Sequence, residues 1–315
     1  MSELNVASDG APRAGSMPIP EPSTDPAKCF LCNTVSERVV WKESSGYEAR
    51  LCSCGLLYSH PKPRDGSVDY SEDIHPREFY SYPAKFKANW MARHCPRGRL
   101  LEVGCGTGSF LAAAQAHGYQ VFGLEPHSER ANLARRLGIS VEQNFLENNT
   151  LPKASFDVVY HCDLLAHFPD PVKALQEMSS LLRPGGVLCF EVGFVAELSP
   201  IWFRFIEFMG GLELGSHLWL FSERSLRLLL QTAELDIEHT TRFGLAPTVV
   251  EPFLRRLVAP GSVGRQRVHP HSERGKKLRF FRYYFLRYRV GAMVSGFGPQ
   301  TAFVVARPQK SVVTH

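Results

Sequence analysis

The amino-acid sequence predicts an α/β protein, a doubly wound and mainly parallel sheet preceded by a small module of paired cysteines. From Arg99 onward, short apolar runs alternate with helical segments. Strands that alternate with helices are typical of parallel sheets covered by helices on both faces. Four of the eight cysteines fall within residues 29–54, and close cysteine pairs are typical of small metal-binding modules.

The composition excludes several classes of protein. Hydrophobic residues make up 44% of the 315 residues and charged residues 21%, which excludes a largely disordered or fibrous chain. Residues 1–27 contain five prolines and few large apolar side chains, so we predict that they are disordered. The sequence shows no apolar signal-peptide core and no run of about 20 apolar residues that could span a membrane. We therefore expect a cytoplasmic protein with reduced cysteines.

The alternating pattern predicts a domain at 99–308. Its strands are predicted at 99–103, 120–124, 139–142, 156–161, 186–192, 236–243 and 301–306, and its helices at 108–117, 127–137, 171–182 and 222–234. Two insertions interrupt the pattern, a lid at 193–221 and a basic aromatic insertion at 244–300. We predict a helical connector at 64–98 before the domain and a short tail at 309–315.

A glycine-rich turn follows the first of these strands, in the string LLEVGCGTGS. Gly104, Gly106 and Gly108 allow a sharp turn and a close approach of the backbone to a ligand. Their spacing, G-x-G-x-G, differs from the G-x-G-x-x-G fingerprint of dinucleotide sites, and Glu102 would place a negative charge near a pyrophosphate. Glu125 ends the second strand, where a carboxylate can accept both hydroxyls of a ribose. The pattern thus favours a nucleoside-type ligand.

Four segments carry a resemblance to a known family: in order, LLEVGCGTGSF, VFGLEPH, SFDVVYHCDLLAHFPDP and LLRPGGVLCFEV. They resemble the class I S-adenosylmethionine-dependent methyltransferases. The resemblance covers about Arg99 to Ala306. It implies a seven-stranded Rossmann-like sheet with an antiparallel last strand, and S-adenosylmethionine as the cofactor.

The resemblance also implies roles for individual residues. The turn of Gly104, Cys105, Gly106 and Gly108 would pass under the methionine part and ribose of the cofactor. Glu102 would orient this turn or the cofactor amino group, and Glu125 would hold the ribose. Family members often bind the adenine amino group with an Asp after the third strand. Here Phe145 stands at that position, so we expect stacking and backbone groups, or Asn144, to hold the adenine.

The segment after the fourth strand contains candidate catalytic groups, because ligands bind at the carboxyl ends of the strands of such sheets. A hydroxyl or acidic-carbon acceptor needs a base that works near neutral pH. His161, Asp163 and His167 are the candidates, and Asp163 is also a candidate cofactor ligand. His167 can equally cap the following helix. His217, in the lid insertion, would approach the acceptor from the other side.

The lid insertion contains an aromatic run at 201–209. This run either forms a wall of an apolar acceptor pocket or packs on the sheet.

Cys29, Cys32, Cys52 and Cys54 provide four thiolates, the soft ligand set of a tetrahedral structural zinc site. The second pair is one residue shorter than the common C-x2-C spacing, and His60 is a substitute ligand if one thiol fails to bind. The alternative is four thiols without a metal. A zinc ribbon at 28–63 before such a domain resembles one bacterial branch of the family. That branch includes sugar C-methyltransferases and natural-product and polysaccharide enzymes.

Positive charge is concentrated in one segment of the chain. Between Arg255 and Arg289, eleven Lys or Arg and one acid give a charge of +10, whereas the whole chain carries +5. Cations and aromatic residues alternate at 276–289. This pattern predicts contact with an anionic membrane surface, contact with RNA, or a helix at the domain edge with solvated arginines.

These patterns together predict a methyltransferase that acts on a small molecule, such as a sugar, a lipid-linked intermediate or a natural-product intermediate. One alternative is an rRNA or tRNA methyltransferase that holds RNA with the ribbon and the basic segment, although residues 28–63 are not strongly basic. The other alternative is a binding protein without activity. The acceptor atom, the oligomeric state and peripheral attachment to the inner membrane surface stay open at this point.

Overall fold

The computed structural model describes residues 28–63, 77–194, 202–204, 214–244 and 300–309. The predictions of disorder at 1–27 and of a basic aromatic segment at 276–289 lie outside the described residues, as does the tail from 310. No helix within the described ranges is both long and apolar enough to cross a lipid bilayer.

The cysteine module, defined here as residues 28–63, forms three short antiparallel strands. They are β1 (Val39–Lys42), β2 (Glu48–Leu51) and β3 (Leu57–His60). A two-residue strand from the lid insertion, β9 (Trp219–Leu220), pairs antiparallel with β3 and completes a four-stranded sheet. The module therefore shares its sheet with a distant part of the chain.

The main domain alternates strands and helices. Its first half comprises α1 (Arg77–His94), β4 (Arg99–Val103), α2 (Ser109–Gln115), β5 (Gln120–Leu124), α3 (Ser128–Arg135) and β6 (Ser140–Glu142). Its second half comprises β7 (Phe156–Cys162), α4 (Pro171–Leu181), β8 (Leu182–Phe194), α5 (Glu223–Thr232), β10 (Leu235–Gly244) and β11 (Gln300–Pro308). All seven predicted strands and four predicted helices are present, and β8 begins four residues before its predicted start.

The seven-stranded sheet has the order β10-β11-β8-β7-β4-β5-β6. The pairs from β8 to β6 are parallel, and β11 runs antiparallel to both of its neighbours. This confirms the predicted fold class, a Rossmann-like doubly wound sheet with an antiparallel last strand. The chain reverses its winding direction between β4 and β7, and ligands of such sheets bind outside the strand ends at that point.

Each face of the sheet is covered by its own apolar layer. On one face, α1 and α2 bury Ala88, Met91, Phe110 and Leu111 against the strands. On the other face, α4 and α5 contribute a second layer that is continuous with the cysteine module: Leu175, Met178, Leu181, Leu226, Leu229 and Leu230 pack in one cluster with Cys29, Cys52, Cys54 and Tyr58.

The helices on this second face begin at strong caps. Asp170 precedes α4 and accepts a hydrogen bond from the Lys173 backbone N–H, with Pro171 at the first helical position. Ser222 and Ser225 cap α5 reciprocally. These caps define where α4 and α5 begin, and therefore where the loop after β7 and the lid insertion end.

Candidate active site

The glycine turn connects β4 to α2 and leaves an open space above Gly106. All three glycines have left-handed backbone angles, with φ of +69° at Gly104, +53° at Gly106 and +77° at Gly108. A side chain at Gly108 would collide with Ile139 and Ala134 at 2.7 and 2.9 Å, whereas one at Gly106 would meet nothing within 4 Å. Gly108 is therefore needed for packing, and Gly106 faces space that a ligand can fill.

Glu125 follows β5 and turns back toward the glycine turn. Its carboxylate is buried and accepts hydrogen bonds from the Gly106 backbone N–H at 2.8 Å and from the His127 backbone N–H at 3.0 Å. The adjoining Cys105 side chain is buried, and its Sγ would lie only 2.5 Å from a side chain at Gly123. Glu125 thus places a carboxylate beside the open position, while Cys105 offers only its backbone.

Glu102 lies within β4, just before the turn, and is almost fully buried. Burial raises the pKa of this carboxyl well above its ordinary value. Its Oε2 atom has no hydrogen-bond partner among the described residues. A buried polar atom without a partner is costly, so a cationic or N–H group of a ligand would stabilise it.

Asn144 and Phe145 follow β6 at the same edge of the sheet. The Asn144 side chain is engaged in its own turn, because its amide nitrogen donates to the Asn148 carbonyl at 2.5 Å and its oxygen accepts from the Phe145 backbone at 3.0 Å. Phe145 is 61% exposed. Of the two, Phe145 is the one that presents a surface to a ligand.

Asp163 and His161 stand at the end of β7 in contrasting surroundings. Asp163 is exposed, has a left-handed φ of +53°, and donates its backbone N–H to the Glu191 carbonyl at 3.2 Å. His161 is fully buried and stacks on Phe190 with ring centroids 5.1 Å apart. Burial lowers the pKa of His161 to about 3. The structure separates these two candidates, one at the site surface and one in the core.

His167 and His217 come together from the loop after β7 and from the lid insertion. Their ring centroids are 4.8 Å apart. His167 Nδ1 lies 2.9 Å from the Ser216 carbonyl oxygen, so the proton of the neutral ring belongs on Nδ1 and Nε2 is left as an acceptor. Burial and the neighbouring His217 lower the pKa of His167 to about 4. The pair is thus two imidazoles on facing segments.

A buried ion pair near Asp163 escapes the sequence predictions. Lys87 Nζ, from α1, lies 2.8 Å from Glu191 Oε1 and 3.0 Å from Cys162 Sγ. The Glu191 side chain is 1% exposed. The available signal was a glutamate inside the otherwise apolar strand LCFEV, since buried carboxylates need partners. Which helix would bring that partner could not be read from the pattern.

The four predicted metal ligands lie together. The Sγ atoms of Cys29, Cys32, Cys52 and Cys54 are within 4.8 Å of one another, and those of Cys29 and Cys54 are 3.6 Å apart. Tetrahedral zinc with bonds of about 2.3 Å requires sulfur separations of about 3.8 Å, which these thiols fit. The shortened second pair still reaches the group, and His60 is not part of it. The four cysteines are free thiols, as are the other four in the chain.

Comparison with known proteins identifies a family. A family model described as "Methyltransferase domain" matches residues 76–240, just over half of the chain. A ubiquinone biosynthesis O-methyltransferase of Actinobacillus pleuropneumoniae serotype 5b (strain L20) is 34% identical over 103 residues, 29% of this chain and 44% of the relative. The namesake of Colwellia psychrerythraea is 32% identical over 103 residues, 29% of this chain and 40% of that relative. The chain thus spans less than half the length of these relatives.

A solved structure shares the fold. It is a chain from the complex between the Haloferax volcanii Trm112 methyltransferase activator and the putative methyltransferase. Its TM-score is 0.50 at 15% identity, over 78% of this chain and 99% of that one.

Proposed function

The chain belongs to the methyltransferase-domain family, and we propose that it transfers a methyl group from S-adenosylmethionine to a hydroxyl group of a small molecule. The observation that carries the proposal is the open position at Gly106 beside the buried Glu125 carboxylate. A backbone without a side chain and a fixed carboxylate are what a nucleoside cofactor needs at one place.

The residues of the glycine turn fit S-adenosylmethionine. We assign the ribose hydroxyls to Glu125, the amino group to the unpartnered oxygen of Glu102, and one face of the adenine to Phe145. Asp163, exposed at the end of β7, is kept as a further candidate cofactor ligand. The bound cofactor would supply a methyl group on a positively charged sulfur.

A hydroxyl acceptor must lose a proton during the transfer, and the candidates to take it are the facing rings of His167 and His217. Nε2 of His167 is free of the proton because Nδ1 donates to the Ser216 carbonyl. The low pKa of His167, caused first by burial, keeps this ring neutral at pH 7. A ring with that pKa is a weak base, so we assign proton acceptance to His217, with the neutral ring of His167 beside it, and no role in it to the buried His161. The names of the curated relatives support a hydroxyl acceptor.

The metal would have no part in the reaction. Four cysteine thiolates fill a tetrahedral zinc shell and leave no position for a substrate. Bound zinc would therefore stabilise the cysteine module.

Calorimetric titration with S-adenosylhomocysteine tests the cofactor assignment. Replacing Glu125 with Gln removes the charge but keeps a side chain of the same size. We expect affinity to fall about 10- to 100-fold, because hydrogen bonds to charged groups contribute roughly 1.5–3 kcal/mol. Glu129→Gln is the matched control, since Glu129 is exposed on the neighbouring α3. Equal affinities of the two variants would contradict the assignment.

Transfer of a radioactive methyl group tests the acceptor class. The purified protein, labelled S-adenosylmethionine and separate pools of hydroxylated small molecules and of total RNA are incubated together. We expect label in the small-molecule pool and its loss in a His217→Ala variant. Label confined to RNA would replace the small-molecule proposal with the RNA alternative.

A further inference from the structure

The lid insertion is attached to the cysteine module by backbone pairing. Tyr58 and Leu57 of β3 pair with Trp219 and Leu220 of β9. A strand of two residues has too few hydrogen bonds to persist by itself. The conformation of this part of the insertion therefore depends on β3.

Polar contacts extend this attachment to His217. Ser59 donates its backbone N–H to the Leu218 carbonyl at 3.2 Å and its hydroxyl to the His217 carbonyl at 2.6 Å. Ser59 is buried, so these bonds are shielded from water. At the start of the segment, Glu43 Oε1 accepts the Leu214 backbone N–H at 3.1 Å.

Residues that adjoin both cysteine pairs lie against this segment. Phe30, between Cys29 and Cys32, packs edge-on against Trp219 with ring centroids 4.8 Å apart. Gly55 follows Cys54, and a side chain there would lie 2.8 Å from Ser222 Oγ. Residues next to the two cysteine pairs thus lie close to the start of β9 and to the residue that caps α5.

A small apolar core joins the same two parts of the chain. Phe203 and Leu214 of the insertion are buried with Ala49 and Leu57 of the module. Phe203 also stacks on Trp41, with centroids 6.2 Å apart and planes 14° apart. Phe203 of the aromatic run therefore packs on the module's sheet.

The other side of the segment faces the main domain. The Ala166 carbonyl accepts the backbone N–H of Leu218 at 2.8 Å, and the Trp219 indole donates to the Phe168 carbonyl at 2.8 Å. His167 lies between these two acceptors in the chain. The segment 214–222 is thus clamped between the cysteine module and the loop that carries His167.

We infer that the cysteine module positions the acceptor side of the active site: with metal bound by its four thiols, it holds β9 and His217 against His167. Ser59 is the main positioning residue in this contact. That this side of the site binds the acceptor rests on the function proposed above. The contact between the cysteine module and residues 214–222 does not depend on that function. The cofactor side, formed by the glycine turn and Glu125, is built from other elements.

Reversible removal of zinc from the full chain tests the inference. Metal content is measured by mass spectrometry, amide exchange at 214–222 by hydrogen–deuterium exchange, and the ring of His167 by NMR titration. After chelation, we expect exchange at 218–220 to accelerate at least about tenfold as these amides lose their protection. We expect the pKa of His167 to move from about 4 toward the ordinary value of roughly 6.5. Added zinc should reverse both changes.

Cofactor affinity separates this inference from the proposed function. If the two sides are independent, the affinity for S-adenosylhomocysteine changes by less than about twofold on metal removal. The inference would be overturned if metal removal changed neither the amide exchange of residues 218–220 nor the pKa of His167. It would also be overturned if the amides of β9 stayed fully protected in the metal-free chain. A cofactor affinity that falls with the exchange change would also overturn it. Failure to bind S-adenosylhomocysteine in any state would instead contradict the proposed function alone.

A pair of serine variants tests the contact without touching the metal. Ser59→Ala removes the bond to the His217 carbonyl, and Ser36→Ala removes a bond of the same length, 2.6 Å, to Leu51 within the module. We expect only Ser59→Ala to accelerate exchange at 218–220, by about three- to tenfold, and to shift the His167 titration. Equal behaviour of the two variants would overturn the role of Ser59.

Discussion

Gly106 is the residue at which backbone conformation and ligand space can be tested separately. Its φ of +53° is strained for any other residue, and its missing side chain leaves open space. Gly118 also has a left-handed φ, +83°, and open space around it, but it lies in the turn before β5. We expect Gly106→Ala and Gly118→Ala to lower the free energy of unfolding by a similar amount, about 1–2 kcal/mol.

Only one of these variants should lose the cofactor. Titration with S-adenosylhomocysteine should show strongly weakened binding for Gly106→Ala and the parent's affinity for Gly118→Ala. Unfolding in urea measures the loss of stability that we expect in both variants. Retained binding in Gly106→Ala would mean that the open space above the turn is not the ligand position.

The contrast between Gly106 and Ser59 shows which site residues a sequence can predict. That Gly106, Glu102 and Glu125 lie near one turn was predictable, because they belong to the ends of two strands whose pattern is local; their roles toward a cofactor stay predictions. The contacts of Ser59 and Lys87 were not predictable, because their partners His217 and Glu191 are more than 100 residues away. Contacts of that kind follow from how elements pack, which a local pattern does not encode.

The connection between α1 and β8 depends on the Lys87–Glu191 pair. Both side chains are shielded, at 14% and 1% exposure. Lys87→Met would leave the Glu191 carboxylate buried beside Cys162 without its cation. Because removal of one partner of a buried pair is strongly destabilising, we expect a loss of about 3 kcal/mol in the free energy of unfolding.

A double-mutant cycle in urea measures this interaction. Glu191→Gln in the Lys87→Met background removes the buried negative charge, so the double variant should be more stable than Lys87→Met alone. Additive losses would show that the two groups do not interact. The exposed Lys173, on α4, provides a Lys→Met control that should change stability little.

Among the elements, the regular strands and helices were predictable and β9 was not. Strands such as β4 and β5 match their predicted limits because each is a short, mainly apolar run next to a glycine-containing turn. β9 has two residues, too few to show any period of hydrophobicity. Residues 193–221 were predicted as a lid of the main domain, which stays a prediction. That β9 within them pairs with β3 of the cysteine module was not predicted.

For the whole molecule, the acid stability depends on groups that are buried in one protonation state. His161 has no hydrogen-bond partner for either ring nitrogen within the described structure, and burial lowers its pKa from 6.5 to about 3. The folded state thus keeps this ring neutral, while the unfolded chain takes up a proton below pH 6.5. The stability from His161 is complete above pH 6.5 and is lost as the pH falls toward 3. Glu102 acts in the opposite direction, since its raised pKa favours the folded state only at low pH.

Replacing His161 with Phe isolates the first of these contributions. Phe keeps a ring of similar shape against Phe190 and cannot bind a proton, and the contribution of Glu102 is common to both proteins. We expect His161→Phe to be more stable than the parent at pH 7, because two unpartnered buried nitrogens are removed. Its advantage should grow by about 1.4 kcal/mol for each pH unit below 6.5. Urea unfolding between pH 4 and pH 8 measures the difference in the free energy of unfolding between the two proteins. A difference that does not vary with pH would show that the His161 ring reaches water and is protonated equally in the folded and unfolded states.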